Sequence, residues 1–270
     1  MIADALLSDT GLTGDSSPIV HVIADGEGYY IYPEGMSVSA GHKFSVIAFP
    51  RPLKHHVLLH SLFGHELGHS ALHVPSSSNI LQRRVMPAIQ ASGPLSSTNA
   101  ITSWLHDSNA PPEVVRELRV YETQSGRTYE FSGEYLLSWV HELICDLFGL
   151  LLFGPSFAAA HITYLRPMYP KPYELGLAEP THPPYAVRQK LLARTIRLLG
   201  WDQPIAQGYR QAEQSLIDYI LEDNYSPWAS ILPDDRLRDA VRWIQEFIDN
   251  HQNFGYVRPE EIYLAYSLNV

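Results

Sequence analysis

The pattern of hydrophobic and polar positions changes character near residue 50. Before it, short runs rich in β-branched and aromatic residues alternate with turn-forming Gly and Asp: residues 19–23 (IVHVI), 28–32 (GYYIY) and 44–49 (FSVIAF). Such runs predict strands, and their close spacing predicts a small antiparallel sheet. Pro50-Arg51-Pro52 ends the sheet and opens a helix over 53–73, because proline is tolerated in a first helical turn. Its apolar positions Leu58, Leu59, Leu62 and Phe63 lie away from some of its histidines, and Pro75 with Ser76, Ser77 and Ser78 stops it.

Residues 76–112 are mixed, with a short helix over 80–90, and a long irregular segment of this kind reads equally as the border of a cleft or as a solvated linker. A helix over 112–122 stops at Ser125-Gly126. Residues 134–153 (EYLLSWVHELICDLFGLLLF) are apolar nearly all round, which predicts a buried helix ended by Gly154-Pro155. Further helices are expected over 156–165, 184–199, 205–223 and 234–251, with a short last one from Pro259 and a proline-rich loop over 167–184. The expected fold class is α+β: a small N-terminal antiparallel sheet, then helices. Residues 1–17 are small and polar and read as a loose arm, 18–200 as the main domain, and 201–270 as a helical extension packed on it.

Composition narrows this picture. The 270 residues are 45% hydrophobic and 18% charged, which suits a globular chain with a substantial core. A net charge of −10 argues against a nucleic-acid partner and against attraction to anionic lipid. The lone Cys145 allows no internal disulfide and reads as core. The N-terminus lacks the basic and apolar regions of a signal peptide. The apolar run 147–160 is interrupted by Gly149, Gly154 and Pro155, so no transmembrane segment and a cytoplasmic location are expected.

Candidate chemistry centres on His65-Glu66-Leu67-Gly68-His69, an H-E-x-x-H sequence at a helical position. Histidines four apart project from one helix face and can share a zinc ion, with Glu66 beside the open coordination position as general base. His73 lies about 12 Å along the axis from His65, too far to share that ion, and suits the negative helix end instead. His55, His56 and His60 read as surface or supporting groups, and Arg83-Arg84 as a solvated pair. A hydrolytic zinc site needs a third protein ligand. Glu142 is the preferred one, because a carboxylate on a buried helix needs a partner. His141 is its rival, about 100° away on the helix. Asp146, one turn beyond Glu142, is placed to accept a hydrogen bond from a ligating histidine. Pro75 stands where a metzincin would carry its third histidine.

Taken together, HELGH, HELICDLFG and THPPYAVRQKLL resemble the gluzincin metallopeptidases, most nearly the HtpX and prenyl-protein-endopeptidase types. The matching residues are His65, Glu66 and His69, then Glu142, Asp146 and Gly149, then His182, Pro183 and Arg188. Cys145 stands where that family usually has alanine, and many of its members are membrane proteins or periplasmic. HELGHSALH and ELICDLFGLLLFGP also resemble the ImmA/IrrE-type peptidases. Both resemblances imply a zincin-like domain, a Zn2+ cofactor and hydrolysis of a peptide or protein substrate. The first adds His182 as a donor to the oxyanion, on a loop stiffened by three prolines, and Arg188 as an anchor to the Glu142 and Asp146 carboxylates. The alternative is a non-catalytic zinc-binding regulatory or interaction module; the presence of Glu66, which a structural site does not need, favours the enzyme.

Overall fold

The computed structural model describes residues 19–26, 29–31, 38–39, 42–53, 56–72, 80–107, 110–168, 174–177, 180–202 and 231–249. The expected N-terminal arm, the expected helices over 205–223 and from Pro259, and His55 and His73 lie outside the described residues. What is described is an α-rich fold.

Strands β1 (Ile19–Gly26), β2 (Tyr30–Ile31), β3 (Val38–Ser39) and β4 (His42–Pro50) precede the helices. β4 is central: β2 and β3 pair with it antiparallel, but β1 pairs with it in parallel, Ile19 opposite Phe44 and Ile23 opposite Ala48. The sheet is therefore mixed, where close spacing had predicted an antiparallel one. Apolar runs mark strands but carry no direction, and the intervening β2 and β3 supply the length that a parallel return needs.

The helix expected over 53–73 begins as tight turns. Two 3-10 segments, Arg51–Leu53 and Val57–Leu62, lead into α1 (Phe63–Leu72). Pro50 and Pro52 offer no N–H, and the chain after them closes three-residue turns, His56 to Leu53 and Leu59 to His56, each at 2.9 Å. A π turn, Leu81–Val85, then runs into α2 (Met86–Gln90). Helix α3 (Thr98–His106) was not anticipated; Ser97 caps it by accepting a hydrogen bond from the Ala100 N–H at 3.1 Å. Helix α4 (Pro112–Ser125) ends at Gly126, whose φ of 66° is the left-handed conformation glycine adopts freely.

Helix α5 (Gly133–Phe153) is the axis of the core. Ser132 caps its start by accepting from the Tyr135 N–H, and thirteen of its residues are buried. By length and mean hydropathy alone, 21 residues and 1.7, it could cross a membrane. Here it is wrapped by the other helices: α6 (Pro155–Met168), α7 (Tyr185–Leu198) and α8 (Asp234–Asp249) all pack on it, as do α2 and α3.

The most extensive helix pairing is α1 on α5, and glycine explains it. Gly64 and Gly68 stand four apart on one ridge of α1. A Cβ at Gly64 would lie 2.8 Å from the Gly149 Cα, and one at Gly68 would lie 2.8 Å from the Cys145 Cα. The two backbones therefore touch. Each histidine of the motif follows one of these glycines, rotated about 100° around the helix, so the same close approach carries His65 and His69 to the flank of α5.

Candidate metal centre

His65 and His69 on α1 and Glu142 on α5 form a buried cluster that could hold a metal ion. The two imidazole Nε2 atoms are 3.2 Å apart. His65 Nε2 lies 3.3 Å from Glu142 Oε2, and His69 Nε2 lies 3.3 Å from Oε1. Ligand atoms held at 2.0–2.1 Å in a tetrahedron stand ~3.3 Å from one another, and each imidazole meets one of the two Glu142 oxygens at about that distance, so the cluster could hold a metal ion. His141, the rival third ligand, is not in the cluster. His56 is exposed, and His60 packs its ring against Phe49 and Phe63.

The donor chemistry also asks for a cation. His65 Nδ1 lies 2.9 Å from Asp146 Oδ1, and a carboxylate accepts, so the ring donates from Nδ1. That leaves a bare lone pair on Nε2, pointed at a second imidazole and at a carboxylate. A proton or a cation placed among these atoms offsets the cost of burying the carboxylate beside them. With no metal the charge is a proton: burial disfavours the imidazolium, but Glu142 and the Asp146 hydrogen bond outweigh it and raise the His65 pKa to about 10. Glu142 responds in kind. Burial works to raise its pKa, yet His65 and Arg188 hold it well below the usual carboxylate range.

Arg188, on α7, is the fixed cation of the site. Its Nε donates to Asp146 Oδ2 and its Nη2 to Oδ1, both at 2.7 Å, in the two-pronged geometry that suits guanidinium and carboxylate. The same Nη2 lies 3.3 Å from Glu142 Oε2. Asp146 is completely buried; burial alone would raise its pKa, but Arg188 and His161 keep it well below the usual value.

Glu66 is buried at 7% exposure, and its side chain makes no hydrogen bond or ion pair among the described residues. A buried carboxylate without a protein partner implies another group to receive it. His182 lies on the loop before α7, its side chain 56% exposed, with Nε2 3.5 Å from Glu142 Oε1. A metal ~2 Å from that oxygen would lie within about 5.5 Å of the ring. The Thr181 hydroxyl sits 2.9 Å from His182 Nδ1. Loss of water around the ring lowers the His182 pKa, and Arg188 and the two motif histidines add to the effect against the opposing pull of Glu142. The loop is pinned from below: the buried Trp139 Nε1–H donates to the Pro180 carbonyl at 2.8 Å.

The structure thus brings together His65, His69, Glu142, Asp146, Arg188 and His182, and sets Glu66 in the same helix as the two histidines. Sequence reasoning overlooked His161 and Gln189, which back Asp146, and Trp139, which holds the loop. His161 directly follows the apolar run 147–160. It is a buried imidazole, 1% exposed, and a histidine inside a fully apolar helix face was the available signal. Cys145 is buried in the α1–α5 contact, where burial, reinforced by the neighbouring carboxylates, raises its thiol pKa well above the ordinary value; it belongs to the core. No family model, no curated protein and no solved structure matches this chain.

Proposed function

We propose that this protein is a zinc-dependent metalloendopeptidase of gluzincin type, with the small sheet and the helices around α5 forming a zincin-like domain. The observation that carries the reading is the pairing of a three-ligand cluster with an unpartnered buried Glu66 beside it. His65, His69 and Glu142 would hold the ion, leaving one position open, the arrangement of hydrolytic rather than structural sites. A bound zinc would polarise a carbonyl and bring the pKa of a bound water to near 7.

The chain's own residues account for the remaining steps. Glu66 takes a proton from the attacking water and passes it to the leaving amine. Asp146 accepts the His65 Nδ1–H and so presents Nε2 to the ion. Arg188 keeps Asp146 ionised and lies against Glu142. Neutral His182, its Nδ1 occupied by the Thr181 hydroxyl, offers Nε2–H to the oxyanion that develops on the substrate carbonyl. The substrate is a peptide or protein, and the cytoplasm is the proposed location.

The test is metal content together with hydrolysis of an unfolded protein such as casein. One zinc per chain with cleavage that disappears in Glu66→Gln is the expected result. Zinc bound equally with no cleavage by the wild type, over a panel of unfolded substrates, would favour a non-catalytic module.

A further inference from the structure

We propose that His161 is a positioning residue for the metal centre, acting through Asp146 on His65; this rests on the metal-site reading above. His161 comes from α6, an element that supplies no ligand, and its ring is sandwiched in the core, stacked at 13° on Tyr185 and tilted against Phe157. The Gln189 side-chain amide donates to His161 Nδ1. With Nδ1 accepting, a neutral ring carries its proton on Nε2. Nε2 is buried and makes no hydrogen bond, and it stands 3.4 Å from Asp146 Oδ1, the oxygen that receives the His65 Nδ1–H. Burial lowers the His161 pKa, which keeps the ring neutral.

The geometry explains what Arg188 leaves undone. The guanidinium grips Asp146 along one edge from α7. His161 approaches from α6, so the carboxylate on α5 is contacted from two helices, and the ring limits its swing about the Arg188 fork. Its orientation is passed to His65, whose ring angle sets the direction of Nε2. Contacts of this outer kind are worth about 10–100-fold in metal affinity, and a 3.4 Å contact that adds to two short hydrogen bonds belongs at the lower end, about 10-fold.

The experiment is a double-mutant cycle read by zinc competition against a chromophoric chelator. His161→Phe keeps the ring volume and the stacking and removes the N–H. It should weaken zinc binding about 10-fold in the wild-type background and have no further effect in Asp146→Asn. The visible spectrum of the cobalt(II)-loaded protein should shift in His161→Phe. Gln189→Met, which frees the His161 tautomer without touching the ring, should weaken zinc in the same direction by less, and it serves if His161→Phe does not fold. Equal losses of affinity with and without Asp146 would make His161 a core filler and overturn the proposal. So would wild-type affinity in both variants while the wild type itself binds zinc. A wild type that takes up no zinc would overturn the metal-site reading and this inference with it.

Discussion

Replacing Gly68 by alanine tests how the metal centre is built. The added Cβ would meet the Cys145 Cα at 2.8 Å and its Cβ and Sγ at 3.1 Å. Ordinary contact begins near 3.4 Å, so α1 must withdraw from α5 by roughly 0.6 Å at the point of contact. The obstacle is backbone and cannot rotate away. His65 and His69 ride on α1 and Glu142 on α5, so the withdrawal opens the ligand set. A metal site accepts distances only within about 0.2 Å of its ideal. Binding zinc would therefore force the helices back into the overpacked contact, which costs about 1–3 kcal/mol. Taken from the binding energy, that is roughly a 5–150-fold loss of affinity.

The assay is chelator competition for zinc, with thermal melting of the metal-free protein alongside. Gly133→Ala is the control, since its Cβ would sit 3.9 Å from the Thr98 Cγ2 in ordinary contact, and it should bind zinc as the wild type does. The metal-free Gly68→Ala protein should melt at most a few degrees lower, because alanine favours the helix by about 1 kcal/mol and offsets part of the strain. Wild-type zinc affinity in Gly68→Ala would refute the claim that glycine contact sets the ligand distances.

The remaining predictions concern the site directly. Glu66→Gln should keep one zinc per chain while hydrolysis falls about 10²–10⁴-fold, and near-normal turnover would remove Glu66 as general base. Glu142→Ala should lose most of its zinc by elemental analysis, and full occupancy would exclude it as ligand. His182→Ala should retain zinc and lower kcat more than it raises KM, by roughly 10²–10³-fold; an effect on KM alone would make the ring a binding contact. The metal-free protein should lose thermal stability as pH rises from about 6.5 to 10. The His65 pKa is raised to about 10 from its ordinary value of 6.5, so its contribution is complete below the lower value and gone above the upper. A flat melting profile over that range, or the same slope in His65→Asn, would contradict this assignment.

How much of this was legible in the sequence follows from what each signal encodes. Residues 134–153 were readable because their ends are marked, by Ser132 before the helix and by Gly154 after it. The direction of β1 was not, since alternation of apolar residues is the same in a parallel or an antiparallel pair. Helix α3 was hidden because Ser97-Thr98-Asn99 looks like a loop until Ser97 is recognised as a cap. At the site, the His65–His69 spacing is a local property of one helix and could be read. The support from His161, Gln189 and Trp139 depends on which helices touch; the one local hint is a histidine on the apolar face of α6, and it does not say what that histidine meets. One clue did lie in plain view. Gly64 and Gly68 interleave with the two histidines, and a glycine every fourth residue on a helix is a ridge made for backbone contact.

The charges of the buried site give the last constraint. Glu66, Glu142 and Asp146 are all buried, and Arg188 is the one permanent cation among them. Three carboxylates against one guanidinium leave two negative charges to be compensated away from water, where uncompensated charge costs several kcal/mol per ion. A proton on His65 cancels one of them, which is why Glu142 and Asp146 drive that pKa upward in the metal-free protein. A divalent cation cancels both, and it lets His65 return to the neutral state that coordination requires. On the proposed metal-site reading, loading a divalent cation should expel the His65 proton. Uptake of zinc near pH 8 should accordingly release about one proton per chain into weak buffer. In His65→Asn no such release should accompany whatever zinc still binds; an undiminished release there would place the proton on another group.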